Sequence, residues 1–289
     1  MASTEDRLSK VTDYEEPFDA STMPPPNIPD MVNYCNEFLG AKFTCSREFF
    51  TASATMTIFK SNKLEGVGCP ISDTTKLING YVQDSPISFS YEGLPTDHMK
   101  ARREVLQHFK ALLLVREFAS SKQLLTEDII KQWHGVLMEG LTEPSGSYRT
   151  EGVFAGQKIF PDHECVPEMM ASLLSQTASR LQSSRRKSMW ANAAWLSHGF
   201  VSIHPFTDGN GRLCRLLGNY VLWYYGFPFA VPISSPRKKY MAALHYADRD
   251  FVERRSGMLA MLMLSNAVSI AENHNANQKL KAEFSSKSS

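Results

Sequence analysis

The sequence contains no Cys-x-x-Cys pair: its five cysteines, Cys35, Cys45, Cys69, Cys165 and Cys214, are odd in number and scattered. That argues against a disulfide framework or a thiolate zinc site, and leads us to expect reduced thiols in an intracellular protein. Net charge is also nearly absent, +1 over 289 residues, so charge gives no reason to expect a nucleic-acid or membrane partner. The first residues, MASTEDRLSK, lack the apolar segment of a secretory leader. No run reaches the roughly 18 apolar residues of a membrane span. The longest near the C-terminus, GMLAMLMLSNAVSIA, reads as a buried helix. With 43% hydrophobic residues there is ample material for a packed core, and the length suits one or two domains. A soluble, cytoplasmic protein is the expectation.

What the chain does have is HPFTDGNGRLCR, from His204 to Arg215. Each part has a chemical use. His204 can accept a proton near neutral pH, and Asp208 is a hard oxygen ligand of the kind Mg²⁺ prefers. Gly209 and Gly211 clear side chains from the backbone, so that N–H groups can approach an anion where a helix begins. Arg212 and Arg215 are three residues apart, hence on one face of that helix, with planar donors suited to phosphate. Cys214 lies within the stretch and reads as a small buried filler. A lone histidine or a lone DGNG turn would carry little weight; the joined string is far more specific.

The string resembles the signature of the Fic family, HPFx(D/E)GNGRxxR, with Thr207 at the free position. The resemblance, over roughly residues 30–270, implies a mostly α-helical Fic fold: a helical bundle with a β-hairpin flap over the active site. It implies transfer of AMP from ATP to a Ser, Thr or Tyr hydroxyl of a protein. His204 would be the base, and Asp208 would hold Mg²⁺. Gly209, Asn210 and Gly211 would cradle the α-phosphate, and Arg212 and Arg215 would position the outer phosphates. Removal of AMP from a modified protein, transfer of another phosphate-containing group and a nucleotide-binding module without turnover are the alternatives. Self-modification and a homodimer are further partners compatible with the resemblance.

In chain order, residues 1–28 read as a flexible arm ending in Met23-Pro24-Pro25-Pro26. From Pro29, Met31, Val32, Cys35, Phe38 and Leu39 have helical spacing. A second helix, capped by Thr44 or Ser46 and spanning about 46–66, carries Phe49, Phe50, Met56 and Phe59. It ends in Ser61-Asn62-Lys63-Leu64-Glu65-Gly66, which matches the (S/T)xxxE(G/N) pattern that the same family uses as an inhibitory helix. By that resemblance Ser61 and Glu65 are inhibitory, with Glu65 paired to Arg215 in place of the ATP γ-phosphate. Ser88 to Gly93 fits the same pattern with Glu92, but lies between Pro86 and Pro95, a poor place for a helix. Glu65 is therefore favoured.

Residues 97–119 form a helical pattern that Asp97 can cap, and Thr126 caps a following helix whose buried face is Ile129, Ile130, Trp133, Val136 and Leu137. His134 in that helix is read as packing or facing solvent. From Pro144 to Pro167 turn formers dominate, with a hairpin at about 150–163. On its own this is an ordinary surface hairpin. It resembles the family's flap, which binds an extended target segment and follows a GxYR element, here Gly146, Tyr148 and Arg149. Glu168–Leu181 and Trp190–Val201 are helical, joined by a basic connector, Arg185-Arg186-Lys187, read as a solvated loop. Beyond Pro232 a further helix resembles the region around the nucleotide base, where Tyr240 is the aromatic candidate and His245-Tyr246-Ala247-Asp248 stands where some members have an Asn-containing stretch. The domain is expected over 29–272, with a flexible tail at 273–289.

Overall fold

The computed structural model describes residues 45–84, 96–155, 158–183, 189–249 and 259–273. The N-terminal arm, the helical pattern from Pro29 to Leu39, the rival Ser88–Gly93 pattern, the Arg185–Lys187 connector and residues 274–289 of the tail lie outside them. Among the described residues the helices are α1 (Arg47–Leu64), α2 (Ile71–Val82), α3 (Thr96–Ser120), α4 (Glu127–Met138), α5 (Val166–Ser183), α6 (Met189–Ile203), α7 (Asn210–Tyr224) and α8 (Arg237–Arg249), followed by α9 at 259–273. The only sheet among them is an antiparallel pair, β1 (Phe154–Ala155) and β2 (Lys158–Ile159), with Phe154 opposite Ile159 and Ala155 opposite Lys158. The described residues are therefore mostly α, with one hairpin.

α6 and α7 are the centre. α6 is buried on nearly every side, from Met189 and Trp190 through Trp195 to Phe200 and Ile203. A helix that is apolar all round belongs in the middle of a bundle. α7 packs along it and buries Leu213, Cys214, Leu216, Leu217, Tyr220 and Val221, so Cys214 is the core filler its size suggested. α3 covers α7 with Val105, Phe109, Leu112 and Val115, while α4 adds Ile130, Trp133 and Leu137. One hydrophobic cluster runs from Phe50 to Ala267. The loop joining α6 to α7 is thus suspended between two buried helices, which restrains its backbone.

Local signals explain the boundaries. Ser46 caps α1, its hydroxyl accepting the N–H of Phe49 at 3.1 Å, and Thr126 caps α4 through the N–H of Ile129 at 3.3 Å. Asp97 lies in the first turn of α3, where its charge suits the helix dipole. α1 is unusually polar for a buried helix. Its hydroxyls remain satisfied because they bond back along the helix: Ser53 donates to the Phe50 carbonyl, Thr55 to Thr51 and Thr57 to Ser53, at 2.8–2.9 Å. The face that packs inward is Phe50, Ala54, Ile58 and Leu64; Met56 and Phe59 are only partly covered.

Candidate active site

α7 opens without a side-chain cap. Its N-cap is Gly209, at φ +79°, a left-handed conformation that only glycine adopts freely. A Cβ there would come within 2.7 Å of Met138 Sδ. The backbone N–H groups at the start of α7 are consequently aimed at the space in front of the loop, an arrangement suited to an anion. Asp208 accepts the Gly209 N–H on Oδ1 at 2.6 Å, and its side chain is 61% exposed. The Asn210 amide also braces the loop, Oδ1 accepting the Phe206 N–H at 3.0 Å and Nδ2 donating to the Phe206 carbonyl at 2.7 Å.

His204 is positioned by strain and stacking. Its φ is +53°, which costs energy for any residue with a Cβ and persists only where neighbours enforce it. The Phe160 ring stacks on it with centroids 3.9 Å apart. His204 Nδ1 lies 3.4 Å from the Val201 carbonyl, so the proton belongs on Nδ1 and Nε2 keeps its lone pair. Burial, partly offset by that hydrogen bond, pushes the imidazole down to a pKa of about 4. At neutral pH the ring is uncharged and able to take a proton.

Arg149 gathers the loop and the hairpin. Its N–H donates to the Pro205 carbonyl at 2.9 Å, its Nε to the His204 carbonyl at 2.8 Å, its Nη1 to Glu151 at 2.8 Å, and its Nη2 to Pro161. On the other side Lys158 of β2 pairs with Asp248 of α8 at 2.7 Å, and Asp248 also accepts from His198 Nε2 at 2.9 Å. Burial opposes the Asp248 charge, but these hydrogen bonds prevail and lower its pKa to about 2. The hairpin is anchored at both ends, while Phe154 and Ile159 face outward at 67% and 84% exposure.

The two arginines of α7 are buried. Arg215 donates from Nε to Ser61 Oγ at 2.8 Å, and from Nη2 to the Ser61 carbonyl at 3.0 Å and Glu65 Oε1 at 2.6 Å. Burial disfavours its charge, and the Glu65 carboxylate more than offsets this, so its pKa stands above the ordinary arginine value. A Cβ at Gly211 would collide with that carboxylate, so glycine is required for Glu65 to lie against the first turn of α7. Arg212 places Nη2 3.6 Å from Asp208 Oδ2, while Nε and Nη1 have no partner among the described residues. Glu65 and Ser61, some 150 residues upstream, are therefore brought to Arg215, as the pattern SNKLEG implied.

Tyr240, the aromatic candidate of the sequence, is only 4% exposed; its hydroxyl lies 3.6 Å from Cys214 Sγ, and the Arg215 guanidinium stands 5.7 Å from its ring, so it supports Arg215 from beneath. Two histidines are buried: His108, which the sequence reading passed over, and His134, which packs rather than faces solvent. His108 of α3 places Nδ1 2.8 Å from Asn62 Oδ1, and His134 of α4 contacts both the motif loop and the GSYR turn. A histidine inside an apolar helical face was the available signal, and it does not say what packs on that face.

The sequence matches the Fic/DOC family over residues 124–222. A Fido domain-containing protein of Dictyostelium discoideum is 44% identical over 144 residues, covering 50% of this chain and all of that one. A protein adenylyltransferase Fic of Nematostella vectensis is 30% identical over 198 residues, 66% of this chain and 42% of that one. The chain thus spans less than half the length of that adenylyltransferase. The fold matches a Fic domain containing signaling protein of Bacteroides thetaiotaomicron, with a TM-score of 0.68 at 22% identity over 84% of this chain and 98% of that one. It also matches Fic-1 of Caenorhabditis elegans, with a TM-score of 0.67 at 19% identity over 88% and 73%. With the motif complete and a relative matched along its whole length, the chain belongs to the Fic/DOC family.

Proposed function

We propose that this protein transfers AMP from ATP to a Ser, Thr or Tyr hydroxyl of a target protein, and that Glu65 holds the activity in check. The observation that carries the reading is the juxtaposition of an uncharged His204, with Nε2 unprotonated, and an uncapped helix start flanked by Arg212. Relatives 29% and 30% identical to this chain are named protein adenylyltransferases, which supports AMP as the group moved. The target hydroxyl oxygen attacks the α-phosphorus, and its proton passes to His204 Nε2. The bond to the β-phosphate oxygen breaks, and pyrophosphate leaves with the electron pair. In this reading the backbone N–H groups of Asn210 and Gly211 take the α-phosphate, and Arg212 supplies donors to the outer phosphates.

A divalent ion fits the donors available. Among the described residues no group of three or more His, Cys, Asp or Glu could hold a metal by itself. Asp208, with one carboxylate oxygen outside its Gly209 bond, suits Mg²⁺, which is commonly held by one or two carboxylates together with substrate phosphates. Mg²⁺ bound there would neutralise phosphate charge. The exposed Phe154 and Ile159 edge suits an extended target segment added to the hairpin.

Glu65 occupies the arginine that a γ-phosphate needs, so ATP would bind unproductively until the pair opens. Intact mass spectrometry after incubation with Mg²⁺ and ATP tests the whole reading on one chain. Glu65→Gly is expected to acquire AMP adducts that the unaltered protein lacks, and Glu92→Gly is expected not to. An unchanged spectrum for Glu65→Gly would sink the assignment. The Glu65 carboxylate also acts electrostatically on His204, which favours a second reading in which it aligns water for removal of AMP. AMP release from an AMP-modified protein by the unaltered chain separates the two.

A further inference from the structure

His134 is buried against the motif loop, yet the transfer proposed above does not use it. The ring is 1% exposed and lies flat on Phe206, with centroids 3.7 Å apart and planes within 5°. Its Nδ1 accepts the Gly146 N–H at 2.9 Å. A backbone N–H can only donate, so Nδ1 carries the lone pair and the proton must reside on Nε2. Nε2 in turn stands 2.9 Å from the Asp208 carbonyl, which can only accept. Both neighbours therefore select the same neutral tautomer, and burial pushes the pKa down to about 4.

The two groups so joined belong to the two segments that build the site. The Asp208 carbonyl belongs to the peptide leading into the Gly209 turn, and hence to the orientation of both the Asp208 carboxylate and the N–H groups that open α7. The Gly146 N–H belongs to the turn carrying Arg149, which holds the start of the same loop through the His204 and Pro205 carbonyls. Arg149 fixes the beginning of the loop, and His134, on α4 and tied to the turn that carries Arg149, fixes its middle. We propose that His134 is a positioning residue: its neutral ring sets the Asp208 peptide, and through it the direction of the Asp208 carboxylate, relative to the turn that anchors the hairpin. The proposal rests on Asp208 acting as the reading above assigns.

Two substitutions separate hydrogen bonding from packing. In the full-length Glu65→Gly protein, His134→Phe keeps a flat ring on Phe206 and removes both hydrogen bonds, whereas His134→Gln retains an N–H donor near the position of Nε2. We expect His134→Phe to lower AMP transfer by about ten- to a hundredfold, the scale of an ångström's misplacement of a reacting group. It should also weaken Mn²⁺ binding, read by electron paramagnetic resonance in the presence of ATP, and His134→Gln should recover most of both. Full transfer and Mn²⁺ affinity in His134→Phe would overturn the proposal. So would equal losses in both variants that track their melting temperatures. The ¹⁵N spectrum of the unaltered protein provides a check independent of activity: a lone-pair shift at Nδ1 of His134 is expected, and a protonated Nδ1 refutes the tautomer. If the Glu65→Gly background transfers no AMP, the activity reading fails, while the Mn²⁺ titration and the spectrum still decide the role of His134.

Discussion

Arg212 and Arg215 stand three residues apart on α7, with side chains 3% and 5% exposed, and meet opposite surroundings. Arg215 is satisfied by α1 through Ser61 and Glu65, whereas Arg212 keeps Nε and Nη1 without a partner among the described residues. A buried guanidinium with unpaired donors is costly unless a ligand completes it. The contrast teaches that burial alone does not define a binding arginine. One of these is held by the protein itself through Ser61 and Glu65, and the other has donors suited to an anion.

The largest effect tests what both arginines serve. His204→Ala in the Glu65→Gly background should cut AMP transfer by roughly 10²- to 10⁴-fold, the range of general acid–base catalysis. ATP binding by calorimetry should change little. Retained transfer would mean that the arginines serve a site with a different base.

Acid should disturb the comparison next. His108 is pushed well below the ordinary histidine value by burial and by the charges of both arginines, and His134 and His204 are held near 4. Their folded pKa values lie below the unfolded value of about 6.5, so between pH 6.5 and 4 the unfolded chain binds more protons. Stability is then full above pH 6.5 and falls as pH drops through that window, by about 3 kcal/mol for His134 alone at its lower end. Urea melts at pH 7, 5.5 and 4.5 measure this, and His134→Gln should flatten the curve. Transfer should likewise persist down to pH 5, because His204 stays unprotonated there.

A smaller and more selective effect separates the arginines directly. Arg212→Lys should weaken ATP binding about tenfold in the unaltered protein, since a point charge replaces a planar fork. Arg215→Lys should weaken it less, because Glu65 already occupies that side chain. In the Glu65→Gly protein the two losses should converge, and calorimetry on the four variants would show whether they do.

The motif was legible because its chemistry is written in twelve consecutive residues, and the caps at Ser46 and Thr126 because capping acts over three residues. The pairing of Glu65 with Arg215 crosses 150 positions and was readable only through a family pattern. The burial of Tyr240 was not legible, because an aromatic after a proline-containing turn looks the same whether it lines a pocket or supports an arginine from below. Nor was the bond from the Asn210 amide to the Phe206 backbone, which no spacing rule announces. His134 and Arg149 work through backbone carbonyls of a distant loop, which depend on tertiary packing and leave no periodic trace.

The smallest effect concerns how firmly Arg215 is withheld. Rotating the Glu65 side chain away would still leave the Ser61 carbonyl and hydroxyl on the guanidinium, so release requires the last turn of α1 to move. α3 holds that turn: His108 meets Asn62 at 2.8 Å, and one turn away Glu104 accepts the Gly68 N–H at 2.8 Å. Arg237 of α8 adds a bond to the Leu64 carbonyl at 3.2 Å. Asn62→Ala removes one buried hydrogen bond from this support without touching Arg215 or Glu65, a loss worth about 1 kcal/mol. AMP transfer should therefore rise about fivefold in otherwise unaltered protein. In the Glu65→Gly background, where the carboxylate is gone and only Ser61 still holds the guanidinium, the rise should be smaller. An equal rise in both backgrounds would mean that Asn62 acts on the catalytic loop itself, and the contrast between the two arginines would then lose its regulatory meaning.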